Sequence, residues 1–230
     1  GKDGARALSR HGAADLMGQL LDGGLSDLEV GAFCVAMRVK GETAEEMAGF
    51  LDAVHERLEM LPASARPLVV LPSYNGARKL PLLTPLLALL LAKRGLPVLV
   101  HGQATEDKRA CTSEDVLAAL GIPALTELDE ILPGQVAFAP TALLLPGLQR
   151  LLDVRRTLGL RNSAHSLVKL MDPLAPVAGS SLIVGSYTHP EYAESMAATI
   201  ALTGSDALLL RGTEGEPVAD ARRTPQMEGC

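Results

Sequence analysis

Tryptophan is absent from this 230-residue chain, and it has only three phenylalanines and three tyrosines. Aliphatic side chains must therefore fill the core, and stacking platforms for single-stranded bases are scarce. Cysteine is nearly as rare. Cys34, Cys111 and Cys230 are odd in number and far apart, with no CxxC pair and no histidine at metal-ligand spacing. Reduced thiols in a cytoplasmic protein are the simplest expectation. No long apolar run is present either: the stretch from Leu80 to Ala92 is interrupted by Pro81, Thr84 and Pro85, and a bilayer span takes about 20 residues. The opening GKDGARALSR leads into no apolar segment of a signal peptide. An excess of positive charge is also missing, since 21 Lys+Arg face 27 Asp+Glu for a net charge of -6. That balance argues against a strongly basic nucleic-acid-binding domain. The remainder, 47% hydrophobic and 21% charged, fits a compact protein with a sizeable core.

The first 62 residues predict helices with explicit stops. Leu16, Met17, Leu20 and Leu21 precede Gly23-Gly24. Ser26 with Glu29 and Thr43 with Glu46 have capping-box spacing, in which each side chain satisfies a backbone N–H of the other residue. After Pro62 short apolar runs alternate with helical patterns. Strands are expected at 68–71, 97–100, 135–138, 181–184 and 207–210, and helices at 84–94, 113–120 and 190–202, with Thr84 and Pro85 as N-cap and first turn of one of them. Residues 148–158 and 163–171 predict further helices. The fold class is α/β: a small helical bundle (1–62, joined by 146–172) beside a larger domain with a mainly parallel sheet (63–145 and 173–230).

Charge is unevenly placed. Residues 63–112 carry seven bases against two acids and 146–172 carry five against two, while the other segments are acidic. In an open α/β sheet the loops at the carboxyl ends of strands line the ligand crevice. Arg78 and Lys79 after the first strand, and Lys108 and Arg109 after the second, are therefore expected on one face. Arg150, Arg155, Arg156, Arg161 and Lys169 would extend it, and an anionic ligand is implied. The alternative is a set of ordinary solvated charges on different faces.

Residues 96–122, LPVLVHGQATEDKRACTSEDVLAALGI, resemble the anthranilate phosphoribosyltransferase family, as do the early segment LLDGGLSDLEVGAFCVAMRVKGETAEEMAGFLDA, the turn Gly159-Leu160-Arg161 and the strand LLLRGTEGEP. The resemblance implies a nucleoside-phosphorylase-type architecture and a homodimer formed through the N-terminal helices, with Phe33, Met37 and Met47 as candidates for burial there. It also implies that the chain, which stops at ARRTPQMEGC soon after a strand, is the truncated part of a larger α/β domain.

That family's functional residues carry over incompletely. Its glycine-rich diphosphate loop falls on Pro72-Ser73-Tyr74-Asn75-Gly76, and the acidic pair that would hold magnesium falls on Glu216-Pro217. Asn75, Gly76, His101, Gly102 and Ser113 are left as vestigial phosphate-binding positions, with Glu216 as the vestigial metal candidate. The blocks SYNGARK, RNSAHSLVKLMDP and SYTHPEY resemble a divergent branch of the same superfamily, the YbiB-type proteins, which implies a nucleic-acid-binding dimer without cofactor or catalytic residues. The expected partner is DNA or RNA, held through phosphates with weak sequence specificity. The alternative is a magnesium-dependent phosphoribosyltransferase, or another pentosyl-transfer enzyme, acting on phosphoribosyl pyrophosphate. His11 and His55 are expected at the surface, and Cys34 in the core.

Overall fold

The computed structural model describes residues 4–103, 111–174, 179–220, 222 and 226–230. In chain order the elements are α1 (Arg10–Asp22), α2 (Asp27–Lys40), α3 (Ala44–His55), β1 (Leu68–Ser73), α4 (Thr84–Lys93), β2 (Val98–Gly102), α5 (Ser113–Ala119), β3 (Val136–Pro140), α6 (Thr141–Leu144), α7 (Pro146–Leu158), α8 (Ala164–Leu167), β4 (Ser181–Tyr187), α9 (Glu191–Thr203), β5 (Ala207–Thr213), β6 (Glu216–Ala219) and β7 (Met227–Gly229). Both capping boxes form, Ser26 with Glu29 at α2 and Thr43 with Glu46 at α3. Each satisfies two backbone donors that a helix start otherwise leaves open.

The bundle closes by backbone approach. A Cβ on Gly49 of α3 would lie 2.1 Å from the Arg10 carbonyl oxygen of α1, so only glycine permits this contact. α7 packs on α1, and α3 touches both α8 and α9, which joins the bundle to the sheet domain. Phe33, Met37 and Met47 are buried inside this chain's own bundle. They are therefore not the exposed residues of a dimer face, because Phe33 meets Phe50 edge-on at 5.9 Å within the core. His55 departs from expectation too: it is half-buried, and its Nε2 accepts from the Asp172 backbone N–H at 3.1 Å.

The strands run β3-β2-β1-β4-β5-β6, with β7 also paired to β5. β3, β2, β1, β4 and β5 are mutually parallel, and β6 and β7 are antiparallel to β5. Both faces of this sheet are covered. Leu68, Val70, Leu99, Ile183 and Leu209 face the helical bundle side, while Val69, Leu71, Val98, Val100 and Leu210 pack with α4 and α5 residues. Alternate side chains of one strand thus enter two different cores, and the strands read as continuous apolar runs.

Two predicted helix details change. The helix expected at 163–171 shortens to α8, followed by turns. Thr84 does not cap α4: Leu83 occupies that position without a side-chain bond. The Thr84 hydroxyl is turned instead into the sheet end, where a carboxylate accepts it.

Candidate functional site

The order of the parallel strands reverses direction between β1 and β4, so the switch point, where open α/β sheets leave a crevice, lies beyond the carboxyl ends of those two strands. The loop 74–83 after β1 lines it. Here the tip of the β5–β6 hairpin folds over the crevice. A Cβ on Gly215 would fall 1.9 Å from the Asn75 side-chain nitrogen and 3.4 Å from Thr188, so the tip passes against both loops at a position that also needs φ +87°. Glu214 beside it adopts φ +53°, the one such non-glycine among the described residues. A side chain held there costs about 1 kcal/mol, which the surrounding bonds must offset.

Those bonds come from two carboxylates. The buried Glu216 accepts from the backbone N–H groups of Asn75 and Gly76, each at 2.9 Å, from the Thr84 hydroxyl at 3.0 Å, and from the Ser73 hydroxyl. Ser113, at the start of α5, sits 2.6 Å from the Ser73 oxygen and continues the chain of hydroxyls. Glu214 accepts from the backbone N–H groups of Arg78, Lys79 and Leu80 at 3.1, 3.2 and 3.2 Å. These bonds hold the Glu214 carboxyl below its usual range despite partial desolvation. Behind the hairpin, Lys169 Nζ donates to the carbonyls of Ser186 and Gly215 at 3.1 and 3.2 Å. Burial pulls its ammonium down to about 8.

A second polar chain runs beneath the loop. Tyr74 Oη lies 2.9 Å from His101 Nδ1 and 2.8 Å from Thr141 Oγ1, and Thr141 donates to the Gly102 carbonyl at 2.9 Å. A carbonyl only accepts, so the Thr141 proton points to Gly102, Tyr74 donates to Thr141, and His101 donates through Nδ1. His101 is thereby the neutral Nδ1–H tautomer, and its buried Nε2 has no hydrogen-bond partner among the described residues. Desolvation pushes its pKa down to about 3. This histidine braces Tyr74 from inside the sheet.

The residues present do not fit a magnesium ion. Both Glu216 oxygens are turned onto hydrogen-bond donors, its neighbour is Pro217, and no group of three His, Cys, Asp or Glu that could hold a metal occurs among the described residues. Glu216 serves as an acceptor in a cradle of donors.

The predicted basic residues divide into three sets. Arg78, Arg155 and Arg38 of α2 all act on Arg161: partial burial of its guanidinium, and then their positive charges, hold it below the usual arginine range. Arg161 also donates to the Asn75 side-chain oxygen at 3.1 Å. Exposed Lys79 flanks this group through the loop it shares with Arg78. Arg150 and Arg156 are bonded elsewhere, and Lys169, although the Arg161 charge reaches it, is bonded to the hairpin. Arg150 donates to the Leu21 carbonyl at 2.8 Å, Arg156 pairs with Asp153 at 3.3 Å, and Lys169 is committed to the hairpin. Lys108 and Arg109 lie outside the described residues. Sequence reasoning missed Arg38, which stands among acids in its own segment; no local pattern marks it.

This helical bundle joined to a mainly parallel sheet is similar in architecture to the anthranilate phosphoribosyltransferases. One solved structure that it resembles is the crystal structure of the Thermus thermophilus enzyme, with a TM-score of 0.76 and 26% identity, covering 91% of this chain and 64% of that one. The model of the glycosyl transferase family, helical bundle domain, matches residues 2–58. The chain belongs to the family of the Escherichia coli K12 protein named uncharacterized protein YbiB, to which it is 42% identical over 99% of its own length and 72% of the relative's. The anthranilate phosphoribosyltransferase of Methanopyrus kandleri is 32% identical over 79% of this chain. The chain spans only 55% of that enzyme.

Proposed function

We propose that this protein binds nucleic acid through phosphate contacts on the face formed by Arg38, Arg78, Arg155 and Arg161, with little sequence preference and without catalysis. The observation that supports this reading is that Arg161, bonded to Asn75 of the switch-point loop, lies within reach of the charges of Arg155, Arg78 and Arg38, from three separate parts of the chain. Like charges repel one another, so a folded protein that brings them together is poised to gain when a polyanion neutralises them. The planar guanidinium forks suit phosphate oxygens. No tryptophan and few other aromatics are available for base stacking, so contacts to the backbone dominate.

Fluorescence anisotropy of a labelled oligonucleotide at several salt concentrations tests this. A steep loss of affinity with salt is expected, with a slope near -0.7 for each phosphate neutralised on a single strand, as a rough guide. A flat isotherm at low salt refutes the proposal.

A homodimer is proposed with it, through the outer face of α2. Leu28, Val35 and Val39 are 84, 46 and 55% exposed there and fall on one side of the helix. Light scattering behind size exclusion would report the dimer mass, and Val35→Glu should give the monomer. A cytoplasmic location is proposed on the three free cysteines. No helix among the described residues is long and apolar enough to cross a membrane.

The likeness in sequence and fold to anthranilate phosphoribosyltransferases favours a second reading, phosphoribosyl or other pentosyl transfer with magnesium and phosphoribosyl pyrophosphate. Calorimetry with both compounds separates the two. Saturable heat supports transfer chemistry; its absence leaves the binding function.

A further inference from the structure

The three phenylalanines are buried and Tyr74 and Tyr187 are partly covered, but Tyr192 is exposed, at 44%. It stands at the second position of α9, one turn beyond His189, which is exposed as well. The two rings meet at 6.3 Å with their planes tilted by 51°. Rings so inclined and so far apart do not cover one another's faces. In a chain that draws its other aromatic rings inward, a tyrosine left in water is the kind of side chain that contact surfaces are rich in.

Its position says what it could touch. The loop that carries His189 follows β4 at the carboxyl end of the parallel strands. Thr188 of that loop packs 3.4 Å from where a Cβ on Gly215 would lie, and the same glycine packs on Asn75, to which Arg161 is bonded. Tyr192 itself acts electrostatically on Arg161. From β5, Arg211 Nε donates to the Thr188 carbonyl at 3.2 Å and fixes the loop. Two arginines therefore reach the segment that holds the rings. The first turn of α9 also carries Glu191 and Glu194, whose charges repel phosphate, so the part of a polyanion suited to Tyr192 is flat and uncharged.

We propose that Tyr192, with His189 beside it, is a stacking subsite for an unpaired nucleobase of a strand whose phosphates lie on the arginine face. The subsite presupposes the nucleic-acid binding proposed above and names the ligand more closely, as a strand with a base free of pairing at the point of contact. Every base has a π-face, so such a stack adds affinity with little sequence preference. It therefore suits a surface whose phosphate contacts carry no base information. A duplex keeps its bases inside its own stack and gains nothing from the ring along its length.

Fluorescence anisotropy with three labelled probes of one length tests this: a single-stranded oligodeoxyadenylate, the same strand with abasic sites in place of its bases, and its duplex with the complementary strand. Each is titrated with the unaltered protein, Tyr192→Phe and Tyr192→Ala. Tyr192→Ala is expected to weaken binding of the base-bearing strand about tenfold and to leave the abasic strand and the duplex unchanged. Its salt slope should stay the same, because no phosphate contact is lost. Tyr192→Phe keeps the ring and should keep the affinity. Equal weakening of all three probes, or no weakening of the base-bearing strand, overturns the subsite. So does equal affinity of the unaltered protein for the base-bearing and abasic strands, a comparison that needs no variant and decides the matter should Tyr192→Ala not fold. If the unaltered protein binds none of the probes at low salt, nucleic-acid binding itself fails and the subsite with it; binding of all three with a steep salt slope but without dependence on Tyr192 leaves the arginine face standing and overturns the subsite alone.

Discussion

Arg161 and Asn75 join the two halves of the site. The guanidinium donates to the Asn75 side-chain oxygen at 3.1 Å, while the Asn75 backbone N–H donates to Glu216 at 2.9 Å. One asparagine thus faces the basic surface with its side chain and the Glu216 cradle with its backbone. The arginine face and the switch-point loop are consequently one mechanical unit, and loss of Arg161 should be felt as binding before it is felt as stability.

Arg161→Ala is expected to weaken oligonucleotide binding at low salt and to bring the salt slope closer to zero by about one phosphate contact. Anisotropy at several salt concentrations measures both. Asn75→Ala should produce a smaller loss, because it loosens the arginine without removing its charge.

Arg155 and Arg156 are neighbours in sequence but not in role. The Arg155 charge acts on Arg161, whereas Arg156 is paired with Asp153 at 3.3 Å. Arg155→Ala should therefore reduce affinity more than Arg156→Ala. The double variant should weaken binding to unrelated sequences by similar factors, since phosphate contacts carry no base information. A panel of oligonucleotides in competition checks this.

Stability should fall as the solution is acidified from pH 7 to pH 5. Burial pushes His101 down to about 3, and burial together with the Arg161 charge pushes His165 down to about 4. In the unfolded chain both titrate near about 6.5. Between those limits the unfolded state binds more protons, so stability rises with pH; it is fully present above the unfolded value and lost as pH falls toward the folded ones. His101 alone accounts for about 2 kcal/mol of loss between pH 7 and pH 5, at about 1.4 kcal/mol per unit. Urea midpoints at the two pH values test the sign, and His101→Asn should flatten the dependence.

Glu46 is the structural counterpart of Glu216 in the helical bundle. Fully buried, it accepts from the Leu8 N–H at 2.8 Å, the Thr43 N–H at 2.9 Å and Lys40 Nζ at 2.5 Å. Glu46→Ala leaves a lysine and two backbone donors without their acceptor, and should cost about 3 kcal/mol in denaturant unfolding. Glu46→Gln should cost less, since an amide oxygen still accepts from the capping residue.

What was legible in the residues was what neighbours in sequence decide. The capping boxes at Ser26 and Thr43 formed as their spacing predicts, and the alternation of short apolar runs with helical stretches produced the mainly parallel sheet beside a helical bundle. The candidate site was legible only in part. Asn75, Gly76, His101 and Ser113 could be marked on the loops that matter, yet what each does there was hidden. Thr84 read as a helix cap because threonine before proline at a helix start fits one, and its hydroxyl found a stronger acceptor in Glu216, 132 positions away.

The amino-acid sequence by itself determined the longer helices, the five parallel strands and most of their starts and stops, because periodicity, capping and glycine placement act over a few residues. Only the tertiary structure decided that Glu216 fills the cradle, that Arg38 joins Arg78, Arg155 and Arg161, and that Lys169 turns inward to hold the hairpin. The reason is physical: a buried charge takes its partners from whatever the strand order brings within hydrogen-bond reach, and here that order sets β1, β4 and the β5–β6 hairpin around one point although their residues lie far apart in the chain.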